Sequence, residues 1–411
     1  MSVIDSIELY LVQAPLPAPF SPAWVVKGTR STTNFYLVRL RTDDGVEGFS
    51  AFSATSRERV GMGDSLASLL LGKDIHDQAH LMEMLRIPAY GGFRNFWIEP
   101  AFWDIRGKLA GKPIYELLGG KAQTLTLYAS AGEVKEPAAR IDEAHARYEE
   151  GFRLMKMRVH DFDEAVDIRQ IQEPAAALEG KMKFAVDCNQ AFWYTGGGPG
   201  PKWDLARAKR FCDAAYEAGL EWVEEPLFME WHDQMAELTA YSRVPVSGGE
   251  LHTGGMVELR SMIEKKCYHI YQPDSMWTGG IEQTLEIGRL ARAAGAKFTP
   301  HTWSNGIGFA VNLQVMLASG NPDDMPFEYP LNPPGWTPEA RDAVLVKPWL
   351  HERGKLAAPT DPGLGFEIDE QALERYGRCF FRANRKAVSW MPEALSELRS
   401  VSAVHTTEES V

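Results

Sequence analysis

Apolar positions in the middle of the chain form short runs that alternate with longer stretches of helical periodicity. Several of these stretches stop at a glycine, the usual C-terminal signal of a helix, as at Gly151, Gly219 and Gly295. Such alternation is typical of parallel strands joined by helical crossovers. The apolar runs occupy residues 125–128, 154–158, 183–187, 221–224, 244–247, 268–272, 297–300 and 326–329. Eight strands with seven intervening helices predict an α/β fold, a modified (β/α)8 barrel of the (β/α)7β kind, over residues 126–330.

Residues 1–125 lack this alternation and predict a separate, small α+β unit. Its strand-like positions give way to helical periodicity, which is clearest at residues 96–110 and ends before Gly111. Two stretches, 15–28 and 51–63, are predicted to be loops. Strands are predicted at residues 3–12, 34–41 and 46–50, the last two joined by an Asp-Gly turn.

Beyond residue 330 the chain is expected to return to the N-terminal unit. Proline and glycine are frequent in residues 332–361, which predicts a long irregular excursion. Apolar content rises again afterwards, and we expect the segment 331–411 to pack back against residues 1–125. Its polar tail, residues 405–411, is expected to be mobile.

Composition narrows the class of protein and its partners. The 411 residues are 45% hydrophobic and 24% charged, as in globular proteins, and no apolar stretch is long enough to predict a membrane span. A net charge of −13 argues against a nucleic-acid partner, because phosphate binding requires a basic surface. The acidic N-terminus does not resemble a signal peptide, and the four cysteines lack metal-binding spacing. We therefore expect a cytoplasmic protein with free thiols.

Nearly every apolar run of the predicted barrel ends in an ionisable residue. The carboxyl ends of parallel barrel strands open on one face, where barrel enzymes place their catalytic residues. A single such charge is commonly a helix cap or a solvated loop residue, but capping does not require one charge per strand. We therefore expect an active site on this face. The residues concerned are Lys156, Arg158, Asp187, Glu224, Glu250, Asp274, His301 and Glu328.

Three of these residues form a candidate metal site. Asp187, Glu224 and Glu250 follow successive strands and supply hard oxygen ligands without histidine or cysteine. Such ligands favour Mg²⁺ over Zn²⁺, with Mn²⁺ as the remaining alternative. In this site the ion would hold a substrate carboxylate and stabilise the negative charge that forms when the α-proton leaves.

The other strand-end residues are candidates for proton transfer and charge stabilisation. Lys156 and Arg158 are two apart on one strand and so face the same side, although each could instead form an ordinary ion pair. The guanidinium is expected to lower the pKa of Lys156 towards that of a useful base. Asp274 and His301 end consecutive strands and are predicted to form an acid–base pair. Burial among carboxylates is expected to keep Glu328 protonated, so that it donates a hydrogen bond to an oxyanion.

Candidate substrate contacts lie beside the metal ligands. Asn189 is two residues after Asp187 and is expected to point the same way. His252 follows Glu250 closely, and Tyr194 lies on a Gly- and Pro-rich insertion at residues 191–201. His252 and the insertion are each equally compatible with an exposed loop that contacts no ligand.

Taken together and in order, these motifs resemble those of the enolase superfamily, specifically its mandelate racemase subgroup. The resemblance extends over essentially the whole chain. It implies that the N-terminal unit and the C-terminal segment form a capping domain over the barrel, and that the protein is a homo-oligomer. It also implies that cap loops near Phe20–Trp24 and Ala51–Ser56 help to select the substrate. The motifs are Lys156-x-Arg158, Asp187-x-Asn189, Glu224-Glu225-Pro226, Gly249-Glu250, Gln272-Pro273-Asp274 and Pro300-His301.

One position departs from the racemases of this subgroup. The racemases that the chain resembles carry lysine at the position of Arg158, where it acts as a second base facing His301. Arginine is almost never deprotonated in proteins, which argues against a two-base racemisation here unless Lys156 serves as the second base. The subgroup also contains acid-sugar dehydratases, in which the resemblance implies that His301 alone serves as the acid and base while Arg158 acts as an electrostatic clamp.

These observations predict a Mg²⁺-dependent dehydratase of a sugar acid, either an aldonate or an aldarate. Abstraction of the α-proton would give an enediolate, and loss of the β-hydroxyl would give a 2-keto-3-deoxy acid. The first alternative is a racemase or epimerase of an α-substituted carboxylate. A metal hydrolase is disfavoured because no two of the ten histidines form a His-x-His pair. A non-catalytic relative that binds metal and anion is the last alternative.

Overall fold

The computed structural model describes residues 2–25, 28–55, 57–195, 198–320 and 325–398. In this part of the chain the strands are β1 (Ile4–Phe20), β2 (Arg30–Thr42), β3 (Glu47–Ser53), β4 (Thr124–Ser130), β5 (Leu154–Arg158), β6 (Lys183–Asp187), β7 (Tyr194–Thr195), β8 (Gly198–Pro199), β9 (Val223–Glu224), β10 (Val246–Gly248), β11 (Ile270–Tyr271), β12 (Lys297–Phe298), β13 (Phe327–Pro330), β14 (Lys355–Ala357), β15 (Gly377–Asn384) and β16 (Val388–Trp390).

The helices of the same part are α1 (Gly63–Leu70), α2 (Gln78–Ala89), α3 (Glu99–Ala110), α4 (Ile114–Leu117), α5 (Pro137–Glu149), α6 (Glu164–Ala177), α7 (Leu205–Glu217), α8 (His232–Tyr241), α9 (Met256–Glu264), α10 (Ser275–Thr278), α11 (Ile281–Ala293), α12 (Gly306–Ala318), α13 (Pro338–Arg341) and α14 (Glu370–Tyr376). No helix among these described residues is long and apolar enough to cross a membrane. All four cysteines are free thiols, as expected.

The two ends of the described chain share one antiparallel sheet, which forms the cap. Its strand order is β16-β15-β1-β2-β3, so the C-terminal strands pair with the N-terminal one. Apolar side chains of the sheet pack against helices α1–α3 in a common core that includes Leu66, Leu81, Trp97 and Phe102. The segment after the barrel therefore packs back against the N-terminal unit. The tail predicted to be mobile, residues 405–411, lies outside the described residues.

The loop prediction for residues 15–28 was wrong at its start, because β1 continues to Phe20. Proline has a φ that suits extended backbone, so Pro15, Pro17 and Pro19 extend the strand although they cannot donate to a ladder. The pairing with β2 accordingly shifts register between Pro15 and Phe20. This extension carries Phe20 to the mouth of the barrel.

Eight parallel strands curl into a second sheet, in the order β12-β11-β10-β9-β6-β5-β4-β13. Helices connect these strands, and the predicted barrel with its cap is confirmed. β9 ends at Glu224 and β10 at Gly248 because the next residues, Glu225 and Gly249, have φ values of +46° and +125°, which a strand cannot contain. The carboxyl ends of the strands thus turn sharply into the loops that carry the candidate site.

Candidate active site

Alternation of side chains along the barrel strands places the charged residues above an apolar floor. The floor consists of the interior-facing residues Tyr128, Leu154, Ala185, Trp222, Ile270 and Met325. Two residues further along each of three neighbouring strands come Lys156, Asp187 and Glu224, on the same face. The register pairs Asp187 with Glu224 and with Arg158. Strand register therefore gathers charges that lie far apart in the sequence.

Lys156 is fully buried between two carboxylates. Its Nζ lies 2.8 Å and 2.9 Å from the two carboxylate oxygens of Glu224 and 2.7 Å from Oε1 of Glu328. Burial opposes the charged form, but these two carboxylates outweigh burial and raise the pKa of Lys156. The expectation of a lowered pKa was wrong, because the lysine contacts acids more closely than it contacts Arg158.

Glu328 is held as a carboxylate. Its oxygens accept hydrogen bonds from the Ser130 hydroxyl at 2.8 Å and from the Thr302 amide at 2.7 Å, besides the contact with Lys156. Burial alone would raise the pKa of Glu328, but Lys156 and His301 lower it below its ordinary value. The expectation of a protonated Glu328 was therefore wrong, and this residue accepts hydrogen bonds without donating one.

Arg158 is fixed as a permanent cation at the mouth of the barrel. Its guanidinium pairs with Asp187, and its Nε donates to the Ala131 carbonyl at 2.7 Å. The rings of Trp24 and Trp303 lie 5.1 Å and 5.7 Å from the guanidinium carbon. Burial lowers the pKa of Arg158, but Asp187, Glu224 and Glu328 together outweigh burial and raise it. This residue can attract an anion but cannot serve as a base.

Asp274 and His301 form the predicted pair. Oδ2 of Asp274 lies 3.0 Å from Nδ1 of His301, whose Nε2 lies 3.3 Å from Oε2 of Glu250. Burial lowers the pKa of His301, but Glu250, Glu328 and Asp274 together outweigh burial and raise the pKa to about 9. Asn312, on α12, donates to Oδ1 of Asp274 at 2.9 Å. Asn312 could not be predicted from the sequence, because it is an uncharged residue inside an apolar helix.

The site carries more carboxylates than cations. Asp187, Glu224, Glu225, Glu250, Asp274 and Glu328 surround Lys156, Arg158 and His301. Burial is the main cause that raises the pKa of Glu224 and Glu225, and it raises that of Glu250 to about 7. Oε2 of Glu225 is buried without a hydrogen-bond partner in the described part of the chain. A divalent cation would compensate this excess negative charge.

The three candidate metal ligands supply hard oxygen atoms and negative charge, which suit Mg²⁺. In this structure, however, each of them contacts a basic side chain instead of sharing a closed ligand geometry. Asp187 contacts Arg158, Glu224 contacts Lys156, and Glu250 contacts His301. Within the described residues, one set of His, Cys, Asp or Glu has ligand atoms all within 4.8 Å of one another. That set is His232, His252 and Glu258, which lies outside the cavity lining.

A cavity of about 390 Å³ lies between the cap and the barrel mouth. Arg158, Glu250 and His301 line its barrel side, and residues of β1, β2 and the segment after β3 line its cap side. Ser53 and Phe192 of this wall lie in segments that were predicted to approach the substrate. Most of the remaining wall was not predicted, because few of its residues carry a charge. The lining residues that were not predicted include Arg30, Thr33, Asn34, Trp277, Trp303, Ser304, Asn305 and Trp336.

The candidate substrate residues have different positions. Asn189 and Trp24 line the cavity. His252 is not among the lining residues, because its ring is held by Glu258 at 2.9 Å and by the Tyr268 hydroxyl at 3.1 Å. The structure therefore does not support His252 as a substrate contact. The side chain of Tyr194 and all of Ser56 lie outside the described residues.

Comparison with known proteins identifies the family. Residues 6–119 match the family model for the mandelate racemase / muconate lactonizing enzyme N-terminal domain, and residues 139–372 match that for the enolase C-terminal domain-like family. The chain belongs to the mandelate racemase subgroup of the enolase superfamily. The recognition of this superfamily from the strand-end motifs is confirmed.

Relatives in the enolase superfamily cover nearly the whole chain. A D-galactarolactone cycloisomerase from Agrobacterium fabrum is 28% identical over 91% of this chain and 98% of its own. An L-talarate/galactarate dehydratase from Salmonella typhimurium is 28% identical over 90% of each chain. The crystal structure of an enolase from Bradyrhizobium, complexed with magnesium and mandelic acid, is 26% identical over 92% and 98%, with a TM-score of 0.74. The protein is accordingly an enzyme of this superfamily.

Proposed function

We propose that the protein is a Mg²⁺-dependent dehydratase that converts a sugar acid to a 2-keto-3-deoxy acid. One observation carries the choice of reaction: among the described residues that line the cavity there is one imidazole, that of His301, and no lysine that could serve as a second base opposite it. Among the described lining residues, His301 has a pKa of about 9 and Glu250 a pKa of about 7, whereas Arg158 is permanently charged. Lys156 does not line the cavity, since Glu224 and Glu328 enclose it.

Asp187, Glu224 and Glu250 are the residues that would hold the ion. Their hard oxygen atoms and the excess of buried carboxylates around them support this assignment. When bound, Mg²⁺ supplies Lewis-acid stabilisation to the substrate carboxylate and to the enediolate derived from it. The magnesium complex of the Bradyrhizobium relative also supports this choice of cation.

The protein side chains then divide the proton transfers between them. In its neutral form His301 accepts the α-proton at Nε2, and the C–H electrons form the new double bond. The C–O bond at the β-carbon breaks, and the same proton leaves with the hydroxide as water. Asp274 holds the tautomer in which Nε2 is free to exchange a proton, and Asn312 orients Asp274. The enol product tautomerises to the 2-keto acid.

A substrate screen tests this proposal. Mono- and dicarboxylic sugar acids are incubated with Mg²⁺ or with EDTA, and 2-keto acid formation is measured. Because one relative is a lactone cycloisomerase, sugar-acid lactones are included. We expect turnover only with Mg²⁺, and a loss of about 10²- to 10⁴-fold in His301→Asn, as for removal of a general acid–base group. His145→Asn, an exposed position on α5, is the matched control.

The outcomes discriminate between the chemistries. Turnover that survives EDTA, or a fully active His301→Asn, contradicts the mechanism. Deuterium exchange at the α-carbon without 2-keto acid formation assigns the protein to the epimerases. If no acid exchanges its α-proton, the protein is a relative that only binds its ligand.

A further inference from the structure

Arg30 is a cation of the cavity wall that lacks a counterion. It is the first residue of β2, opposite Phe20 in the ladder with β1, and it lines the cavity. Among the described residues no carboxylate lies within 4.0 Å of its guanidinium, and no hydrogen bond of its side chain is present. Burial alone perturbs this group and lowers the pKa of Arg30. The cavity wall therefore carries a half-buried positive charge that no carboxylate of the described chain neutralises.

Arg30 is half-buried, whereas the fully buried cations of the described chain are all paired. Lys156 contacts Glu224 and Glu328, Arg158 contacts Asp187, and Arg341 contacts Asp342 at 2.7 Å. Partial removal of a charge from water without a partner is costly, and arginine does not avoid this cost by losing its proton. An anion that enters the cavity would remove this cost. The unpaired guanidinium is therefore a feature that favours a negatively charged ligand.

Arg30 also lies on a different wall of the cavity from the reacting groups. It belongs to the cap, together with Thr33 and Asn34 of the same strand, whereas Arg158 and His301 belong to the barrel. The cap side thus offers hydroxyl and amide groups beside its cation. A ligand that spans the cavity would have one end at His301, its hydroxyl groups along the cap, and its other end at Arg30. The cavity volume of about 390 Å³ suits a small ligand of this kind.

We propose that Arg30 binds a second anionic group, at the end of the substrate remote from His301. The substrate is then a dicarboxylic sugar acid, an aldarate, rather than an aldonate. This inference rests on the proposed function, because it assumes that the reacting carbon lies beside His301. A terminal phosphate offers the same chemistry as a terminal carboxylate, so a phosphorylated aldonate is tested alongside.

Binding to a catalytically inactive protein separates this inference from turnover. The probes are galactarate and galactonate, then glucarate and gluconate, which differ within each pair only in a terminal carboxylate or hydroxymethyl group. Calorimetry with Mg²⁺ is performed on His301→Asn and on the same protein with Arg30→Gln. We expect the diacid of at least one pair to bind more tightly. Arg30→Gln should weaken that binding about 10- to 100-fold, as loss of a charge-assisted fork does, with little change for the aldonate.

Two further variants control for folding and for non-specific charge effects. Arg30→Lys keeps the charge but loses the fork, so it should retain part of the diacid preference even if Arg30→Gln fails to fold. Arg41→Gln removes an exposed arginine of the same strand, which pairs with Glu47 on the surface, and should change neither affinity. Circular dichroism establishes that each variant is folded.

Each outcome has one meaning. An absence of diacid preference, or a preference that survives Arg30→Gln, overturns the inference. Arg30-dependent binding of 6-phosphogluconate without that of any diacid overturns the aldarate assignment and identifies a phosphorylated acid. If the wild type dehydrates an acid without dependence on Arg30, the proposed function stands and this inference falls. If diacid binding depends on Arg30 but no acid is turned over, the inference stands and the proposed function falls.

Discussion

Substitution of Lys156 by methionine should destabilise the metal-free protein strongly. Lys156 is fully buried, as are the carboxylates of Glu224 and Glu328 that it contacts at 2.7–2.9 Å. Methionine has a similar length but no charge, so both carboxylates would lose their cation while remaining out of water. Removal of one partner of a buried ion pair typically costs about 3–5 kcal/mol. For a cooperative unit of the size of this barrel, that corresponds to a Tm lower by about 6–20 °C.

The difference in Tm between the wild type and Lys156→Met should depend on pH, and the pKa of Glu328 determines in which direction. In the wild type Lys156 lowers the pKa of Glu328, so this contact stabilises the folded protein above the unfolded pKa of glutamate and is lost on acidification. In Lys156→Met the folded pKa of Glu328 should instead rise, because burial is no longer opposed by the ammonium group. At neutral pH the variant would then be destabilised by a buried carboxylate without a counterion. Protonation of this carboxylate would remove the destabilisation as the pH falls. The difference in Tm between the two proteins should therefore shrink on acidification.

The assay is thermal unfolding followed by circular dichroism in EDTA, over a series of pH values. The double variant Lys156→Met, Glu328→Gln is the informative control. It leaves only one of the two buried carboxylates without a counterion, so part of the lost Tm should return. A loss of the size seen for surface ion pairs, below about 1 kcal/mol, would refute the reasoning. So would a loss that is independent of pH, because it would point to packing and not to charge.

Three further predictions concern the candidate site. The ring of His301 in metal-free protein should titrate near pH 9 by NMR. Bound Mg²⁺ should lower the pKa of His301, because the ion neutralises Glu250. Activity should then rise with pH as the neutral imidazole forms. A pKa below that of free histidine in the metal-free protein would contradict this expectation. Asn312→Leu should lower kcat about 10- to 100-fold with little change in KM, because Asp274 loses the amide that orients it, and an unchanged kcat would exclude that role. Mg²⁺ at 100-fold over its Kd should stabilise the wild type by about 2.7 kcal/mol, and Glu250→Gln should lose most of this effect; equal stabilisation of both proteins would remove Glu250 from the metal site.

The fold and the order of the strand-end charges follow from the sequence alone. The spacing of apolar residues that predicts strands and helices is a local property of the sequence. Parallel strands joined by helices must then place all their carboxyl ends on one face of the barrel. Asp187 and Glu224 could therefore be assigned to a common site although 36 residues separate them. The arginine at position 158, where the racemases carry lysine, could also be interpreted from the sequence, because the loss of a second base depends on the chemistry of that one side chain.

The tertiary structure alone decided which charges meet. Lys156 is two residues from Arg158 but contacts Glu224 and Glu328, which reversed the pKa shifts expected for Lys156 and Glu328. Arg30 gave no signal in the sequence, because its importance depends on the absence of a counterion when the cap meets the barrel. Electrostatic interactions fall off over a few ångströms, and those distances are set by strand register and cap placement rather than by any local pattern.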